Sequence, residues 1–283
     1  MTIPGASEDE AAWNTRAKQR FASRLLAHGL DSETLAVLPD YASPAPSEGA
    51  YKYVYLDLNH WIGIAKARAG RPDGERYARV YELLRQAVGR RCVLVPLSGI
   101  HYMELANIGD VQQRKAVADV MAELSRFATL AHYRLRLTAE VEAALHDMVG
   151  TPMFPQRLDP VGLGVRFALG IEYGPPVRIV ANGPFPSHID QREVVAAERL
   201  FSAVGEYMLL RGPAPADVAA MPDYDRSVSR GIAEQRARRE QELTDLLKLD
   251  KPRLRQIADI VHARILYWDL QDSLAALLDR AGL

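Results

Sequence analysis

A short apolar run that ends on a carboxylate constrains the fold of this chain more than any other stretch. Residues 51–69 read YKYVYLDLNHWIGIAKARA. The β-branched and aromatic run from Tyr53 to Leu56 predicts a buried strand over 53–57. Asp57 ends this strand, and Asn59 is placed to cap a helix from His60 to about residue 69. Such a carboxylate faces the crevice where open α/β sheets bind ligands, although Asp57 could equally serve only to end the strand and help cap the helix.

The same order of strand and helix is repeated further along the chain. Residues 92–96 predict a second strand, and Ser98 is placed to cap a helix over 99–107 that carries Glu104. Asp110 caps a longer predicted helix, and its apolar residues recur at helical spacing: Val117, Val120, Met121, Leu124 and Ala128. A short strand is expected near 128–132. Alternating strands and helices indicate a parallel, right-handed α/β layer.

Three regions are predicted along the chain. Residues 1–50 comprise a helix over about 11–30 and a proline-rich linker, residues 51–186 form the α/β domain, and residues 187–283 form a helical region. The segment 150–186 is rich in glycine and proline, with a short helix predicted over 162–169 and a strand over 177–181. Further helices are predicted over 73–88, 138–148, 191–210, 227–247 and 251–281.

Composition is that of an ordinary soluble globular protein. Hydrophobic residues make up 48% and charged residues 25% of the 283 positions, and the formal net charge is −1. No basic excess indicates nucleic-acid binding, although acidic metal ligands would offset basic contacts. The single cysteine, Cys92, lies in an apolar run and is expected to be buried, in a reducing compartment. With neither a stretch of the ~20 apolar residues of a membrane span nor a signal peptide, we expect a cytoplasmic protein without a membrane partner.

Two carboxylates are expected to meet at one edge of the sheet. Asp57 ends the first strand, and Glu104 lies on the helix that follows the second. If the strands are adjacent and parallel, both side chains project into one crevice. Neighbouring carboxylates repel unless a proton or a cation lies between them, and Mg²⁺ or Mn²⁺ prefers such oxygen ligands. The pair therefore predicts a metal site that can activate water for attack on a phosphodiester.

These stretches resemble the opening of a PIN-domain nuclease. YVYLDLNHWIGIAKA followed by CVLVPLSGIHYMELANI has the Asp-x-Asn signature after the first strand and the glutamate on the helix after the second. Asp57, Asn59 and Glu104 occupy those positions, and the resemblance covers roughly residues 50–150. It implies a PIN-like three-layer α/β/α sandwich with a parallel sheet, here with a large helical elaboration. It also implies dependence on Mg²⁺ or Mn²⁺ and cleavage of single-stranded RNA.

The resemblance also implies which partners to expect. RNA is the expected substrate, with single-stranded DNA left open. Many members of the family act as toxins held by an antitoxin, or in RNA processing and defence, so an antitoxin or another protein partner is anticipated. Whether the chain forms a homo-oligomer is left open.

The chain departs from the family pattern at the remaining acidic ligands. PIN domains supply a third and often a fourth carboxylate after a later helix and strand. Asp159 is the candidate for the third position, and the fourth would fall near Asn182, which is not acidic. Asp159 also precedes Pro160, and Asp-Pro is a common turn pair, so a turn role is the alternative. The sequence predicts an under-filled site of two carboxylates, with Asp159 approaching it or replaced by water.

Other polar and aromatic residues near this site have simpler structural roles. His60 and His101 could touch a substrate but are expected to be surface histidines, and Trp61 and Tyr102 are expected to pack in the core rather than stack on bases. A basic helix could follow a phosphate backbone, but its interleaved glutamates equally predict a solvated face. Its arginines are Arg226, Arg230, Arg236, Arg238 and Arg239.

Three functions remain after this reading of the sequence. A metal-dependent, PIN-like endoribonuclease is favoured by Asp57, Asn59 and Glu104. A catalytically degenerate PIN-like module that binds a protein partner is favoured by the missing third carboxylate. A phosphohydrolase for small molecules would use the same acidic crevice.

Overall fold

The computed structural model describes most of the N-terminal two thirds of the chain. The described residues are 15–21, 32–39, 41, 51–149, 159–171, 190–212 and 271–281, with isolated positions between 231 and 262. The chain divides into two compact units, residues 1–132 with 159–215, and residues 133–158 with 216–283. This division differs from the predicted boundaries at 50 and 186, because the helix that starts at Gln191 belongs to the same unit as residues 51–132.

Helices dominate the described residues of the first unit. The first six are α1 (15–21), α2 (Ser32–Val37), α3 (Leu58–Arg68), α4 (Ala78–Gly89), α5 (Gly99–Asn107) and α6 (Val111–Ser125). The next helix along the chain, α7 (Tyr133–Val149), belongs to the second unit, and α8 (Gly164–Ala168) belongs again to the first. The long helix α9 spans Gln191–Arg211 and closes the described part of this unit. A 3₁₀ turn over Pro72–Tyr77 precedes α4, where the sequence predicted one continuous helix over 73–88. The turn begins with proline at its first position, which has no backbone N–H to bond.

Two short parallel strands overlap the stretches predicted as the first two strands, 53–57 and 92–96, but are shorter. β1 (Lys52–Tyr53) pairs with β2 (Val93–Leu94), with Lys52 opposite Val93 and Tyr53 opposite Leu94. Hydrogen bonds from the Lys52 N–H to the Cys92 carbonyl (3.1 Å) and from the Val54 N–H to the Leu94 carbonyl (2.9 Å) extend the ladder. The prediction that these strands are adjacent and parallel is therefore confirmed. The prediction that the first strand is buried is wrong in part, because its outward-facing tyrosines are exposed.

Two further strands follow β2 along the chain. β3 (Ala128–Leu130) lies beside the extension of β2 through a parallel bridge between Leu97 and Thr129. β4 (Val161–Leu163) pairs with β3 in the antiparallel direction, with Leu130 opposite Val161. The described strands thus form two two-stranded sheets, β1 with β2 and β3 with β4, and the Leu97–Thr129 bridge connects them. The strand near 128–132 was predicted, whereas β4 replaces the first residues of the helix predicted over 162–169.

Glycine explains why this segment changes from strand to helix at residue 164. Gly164 has a φ of +75°, in the region that side chains rarely adopt. A Cβ atom added to Gly164 would collide with the side chains of Glu206 and Tyr41. The strand therefore ends and α8 begins at a position that only glycine can occupy.

The core of the first unit lies between α3, α5, α6 and α9. α6 contacts both α3 and α9, and α5 contacts α9. Val117, Val120, Met121 and Leu124 of the stripe predicted for α6 are buried, which confirms these positions, but Ala128 lies in β3 because the helix ends at Ser125. Fully buried side chains from the four helices and from the residue Leu97 that follows β2 meet there: Trp61, Ile64, Leu97, Leu105, Met121, Leu124, Tyr207 and Leu210. This packing holds the ends of α3 and α5 against the small sheet.

The second unit contains α7 (Tyr133–Val149) and α10 (Gln271–Ala281), which contact each other. α7 begins five residues before the predicted start at residue 138. The predicted strand over 177–181 lies outside the described residues, as do Arg226, Arg230, Arg236 and Arg239 of the basic helix. Arg238 is described; it is exposed and lies 4.0 Å from Glu234.

At the coarse level the chain is an α/β protein that is mostly helical, with a small parallel sheet. Within the residues that the structure describes, no helix is both long and apolar enough to cross a membrane.

Candidate active site

Asp57 lies where the backbone leaves β1 and enters α3. It is exposed and extended, with φ −70° and ψ 156°, and it occupies the N-cap position of α3. The sequence assigned this cap to Asn59, but the helix starts at Leu58, two residues earlier than predicted. Asn59 instead donates a hydrogen bond from its amide nitrogen to the Asp57 carboxylate at 3.1 Å. Asn59 therefore orients Asp57, while the carboxylate itself makes no capping bond to the backbone of α3.

His101 joins the start of α5 to the residue before Asp57. Its Nε2 atom lies 2.8 Å from the Leu56 carbonyl, and its Nδ1 atom accepts a hydrogen bond from the Ser98 backbone N–H at 3.0 Å. Because Nδ1 is an acceptor, the ring proton is on Nε2 and is donated to the Leu56 carbonyl. His101 is fully buried, which corrects the prediction of a surface histidine. Burial lowers the pKa of the imidazole, against the opposing effects of the Leu56 hydrogen bond and the Asp57 charge.

Glu104 follows His101 on the same face of α5. Residues three apart on a helix lie about 4.5 Å apart along its axis and on one side. Since His101 bonds to the residue before Asp57, Glu104 is held beside Asp57 at the carboxyl edge of β1 and β2. The Glu104 side chain is half-buried. Burial raises the pKa of its carboxyl, and the negative charge of Asp57 raises the pKa further. Asp57 is therefore close enough for its charge to act on the Glu104 carboxyl.

Asp159 precedes β4, a strand of the second two-stranded sheet. It is exposed, and beside it the Ala131 N–H bonds to the Pro160 carbonyl at 2.9 Å. Asp57 follows β1, which belongs to the other sheet. Among the described residues, Asp159 is not grouped with Asp57 and Glu104 as a third possible metal ligand. A ligand role for Asp159 stays a prediction.

The chemistry of the pair suits a hard divalent cation. Neighbouring carboxylates repel each other, and a positive ion between them stabilises both. Mg²⁺ is commonly held by one or two carboxylates together with water and substrate phosphate oxygens. In the described part of the chain, no group of three or more His, Cys, Asp or Glu side chains is placed to hold a metal ion. Asp57 and Glu104 therefore have the chemistry of the protein ligands in an open Mg²⁺ or Mn²⁺ site.

A buried carboxylate that the sequence did not single out lies behind this site. Glu206 of α9 is completely buried and accepts hydrogen bonds from the Tyr102 hydroxyl (3.2 Å), the Tyr41 hydroxyl (3.4 Å) and the Val165 N–H (2.9 Å). Burial raises the pKa of Glu206, and the three donors oppose that shift. Tyr102 lies between His101 and Glu104 on α5. Glu206 thus ties the helix that carries Glu104 to α9 and to the start of α8.

The remaining predicted residues have mixed outcomes. Trp61 and Tyr102 are buried, as expected for core residues, and cannot stack on a base. His60 is exposed, as predicted, and its ring packs edge-on against Tyr77 with 6.0 Å between the ring centroids. Cys92 is exposed, so the prediction that it is buried is wrong. β2 begins only at Val93, and the residues just before it form an exposed turn.

Two local signals could have identified the residues that the sequence analysis missed. His101 stands three residues after Ser98, at the position that completes a capping box, and such a side chain folds back toward the start of its helix. Glu206 stands three residues after Ala203 and four before Leu210, which are both buried. A carboxylate on the apolar stripe of a helix needs buried donors, and the nearby tyrosines supply them.

Comparison with known proteins was made at the level of families, sequences and structures. No family model matches the chain, and neither a curated protein nor a solved structure matches it. The Asp57–Glu104 pair and the residues that position it are therefore the basis for assigning a function to the chain.

Proposed function

We propose that the chain is a metal-dependent nuclease that cleaves single-stranded RNA, built on a PIN-like three-layer α/β/α domain. The observation that carries the proposal is the pairing of Asp57 with Glu104 at the carboxyl ends of two adjacent parallel strands. This is the edge at which open α/β sheets bind ligands. The resemblance of residues 50–150 to PIN-domain nucleases, which have an acidic pair in these positions, supports the same function.

Each residue of the site has a separate part in this proposal. Asp57 and Glu104 would hold Mg²⁺ or Mn²⁺, Asn59 orients the Asp57 carboxylate, and His101 fixes α5 against the end of β1. When bound, the ion lowers the pKa of a water and neutralises charge on the phosphodiester. In the overall hydrolysis, a water oxygen bonds to phosphorus while the bond to the leaving oxygen breaks, and the leaving oxygen takes a proton. The reaction therefore requires no reactant besides RNA and water.

A cleavage assay with matched variants tests this function. A 5′-labelled single-stranded RNA is incubated with Mn²⁺ or Mg²⁺ and with the wild type, Asp57→Asn, Glu104→Gln or Asp147→Asn. Asp147 is exposed on α7, and its substitution makes the same chemical change as Asp57→Asn at another place. Loss of an ion that supplies about 4 kcal/mol of transition-state stabilisation predicts a roughly thousandfold loss of rate in the first two variants. Asp147→Asn is expected to cleave at the wild-type rate.

Two results would remove the nuclease assignment. Cleavage that persists undiminished in EDTA would show that the chemistry does not depend on a divalent ion. Equal rates for the wild type and Asp57→Asn would show that the activity belongs to another site or to a contaminating nuclease.

One observation favours a second candidate, a catalytically degenerate PIN-like module that binds a protein partner such as an antitoxin. The described residues bring two carboxylates together rather than three or four. In that case the purified wild type would show no metal-dependent cleavage of RNA or single-stranded DNA, although its fold is intact. Measurable cleavage that depends on Asp57 would favour the nuclease and exclude the catalytically degenerate module.

A further inference from the structure

Two tyrosines lie in line with Asp57 on the exposed face of β1 and its extension. Side chains alternate between the two faces of an extended strand. Val54 and Leu56 turn toward the core, whereas Tyr53 and Tyr55 are 56% and 53% exposed and Asp57 is exposed as well. Residues two apart in a strand are separated by about 7 Å. The exposed side chains therefore form a row that leads directly to the acidic pair.

The ring of Tyr55 is held in place although it is exposed. Its centroid lies 5.2 Å from that of the buried His101 ring, with 31° between the planes. The Tyr55 hydroxyl is 3.3 Å from the Ser98 hydroxyl. A ring fixed in this way loses little conformational freedom when a second flat molecule stacks on it.

The other end of the row is basic. The Lys52 N–H bonds to the Cys92 carbonyl at 3.1 Å, which places Lys52 beside the turn that carries Arg90 and Arg91. The side chains of Arg90 and Arg91 are exposed, and the exposed Lys52 side chain is on the face of the strand opposite the tyrosines. From Lys52 to Asp57 the extended backbone spans about 17 Å, enough for roughly three to five nucleotides of a single strand. Cations therefore lie at one end of the row and a candidate metal site at the other.

We propose that Tyr53 and Tyr55 form a stacking track that binds the bases of single-stranded RNA and delivers its backbone to Asp57 and Glu104. Arg90 and Arg91, in the turn beside Lys52, contact phosphates at the far end of the track. The inference rests on the proposed nuclease function for the identity of its ligand. Aromatic rings bind single-stranded bases without sequence preference, and cations neutralise the phosphates, so the combination fits a nucleic acid better than a peptide strand.

Binding without cleavage tests the track. The affinity of a fluorescein-labelled single-stranded RNA is measured by anisotropy in EDTA for the wild type, Tyr53→Ala, Tyr55→Ala and the two matching phenylalanine variants. Each alanine variant is expected to bind about tenfold more weakly, because a base loses its stacking partner. The phenylalanine variants keep the ring and are expected to bind like the wild type. Tyr133→Ala, which removes an exposed tyrosine of α7, is the control and is expected to change nothing.

An abasic strand of equal length separates stacking from charge. Its affinity should be the same for the wild type and the alanine variants, because it offers no bases to stack. Arg90→Ala and Arg91→Ala should weaken the binding of both strands, and each should reduce the slope of log affinity against log salt by about 0.7.

The outcomes distinguish this inference from the proposed function. RNA affinity that is equal in the wild type and both alanine variants overturns the track, even if cleavage depends on Asp57. Weaker binding by both alanine variants supports the track, even if the wild type cleaves no RNA and the nuclease proposal fails. A wild type that does not bind RNA overturns the track. A change of oligomeric state in the alanine variants with unchanged RNA affinity also overturns it, and assigns this face to a protein interface.

Discussion

Replacing Glu206 should destabilise the protein more than any other single loss of a carboxylate among the described residues of the first unit. Glu206→Ala leaves two tyrosine hydroxyls and the Val165 N–H without their acceptor in a buried environment. A buried donor without a partner costs about 1–3 kcal/mol. Relief of the burial penalty on the charged carboxyl offsets part of that sum. We therefore expect the free energy of unfolding to fall by about 3 kcal/mol.

Urea denaturation followed by circular dichroism measures this loss, and the same helix supplies a control. Glu193 is at the start of α9 and makes an exposed ion pair with Arg20 at 3.1 Å. Because exposed pairs contribute about 0–1 kcal/mol, Glu193→Ala should cost far less than Glu206→Ala. Equal losses in the two variants would refute the claim that the Glu206 hydrogen bonds stabilise this part of the fold.

The pH dependence of the same residue has a definite sign. Burial raises the pKa of Glu206 above its ordinary value of 4.5 in the folded protein. Between 4.5 and the raised pKa, the folded protein binds a proton that the unfolded chain has released, so raising the pH destabilises the fold. The wild type should therefore lose stability relative to Glu206→Gln as the pH rises from 4.5 through that window. A relative gain in stability would show that the three donors outweigh burial and lower the pKa.

Three more predictions follow from the environments of single residues. Asp57→Asn should lower the pKa of the Glu104 carboxyl, measured by NMR titration, because it removes the negative charge that raises it; an unchanged pKa would place the two groups too far apart to share an ion. Burial lowers the pKa of His101, so the wild type should lose stability relative to His101→Gln as the pH falls below 6.5, the ordinary pKa of histidine. Urea denaturation at several pH values measures this difference, and a difference that stays constant with pH would contradict the expectation. Cys92 is exposed, so its thiol should react with a thiol reagent such as DTNB without denaturant; reaction only after unfolding would contradict the exposure.

The local elements of the first unit were predictable because their signals are short-range. Ser98 and Asp110 stand where the sequence placed helix caps, and the Asp110 carboxylate accepts from the N–H groups of Gln112 and Gln113 at 2.8 and 3.1 Å. The pairing of the first two strands also followed from the sequence, because an α/β order leaves few other arrangements. Asp57 and Glu104 were placed together for the same reason.

The features that the sequence did not predict depend on contacts between distant residues. β4 exists because β3, about thirty residues earlier, offers it a partner. His101 can be buried because it donates a hydrogen bond to the Leu56 carbonyl, 45 residues away in the sequence. Glu206 can be buried because it accepts hydrogen bonds from the hydroxyls of Tyr102 and Tyr41, which are 104 and 165 residues away. No window along the sequence contains both members of such a pair. Cys92 was predicted to be buried from its apolar neighbours, but β2 begins one residue after it and Cys92 is exposed.

Calorimetric titration of Mn²⁺ into the wild type and three variants tests the central claim most directly. If Asp57 and Glu104 hold the ion, Asp57→Asn and Glu104→Gln should each weaken binding at least about tenfold, the loss that removal of even an outer partner causes at metal sites. Asp159→Ala should bind Mn²⁺ like the wild type, because Asp159 precedes a strand of the other two-stranded sheet and is not grouped with the pair. Affinities that are equal in the wild type, Asp57→Asn and Glu104→Gln would show that these carboxylates do not form a metal site.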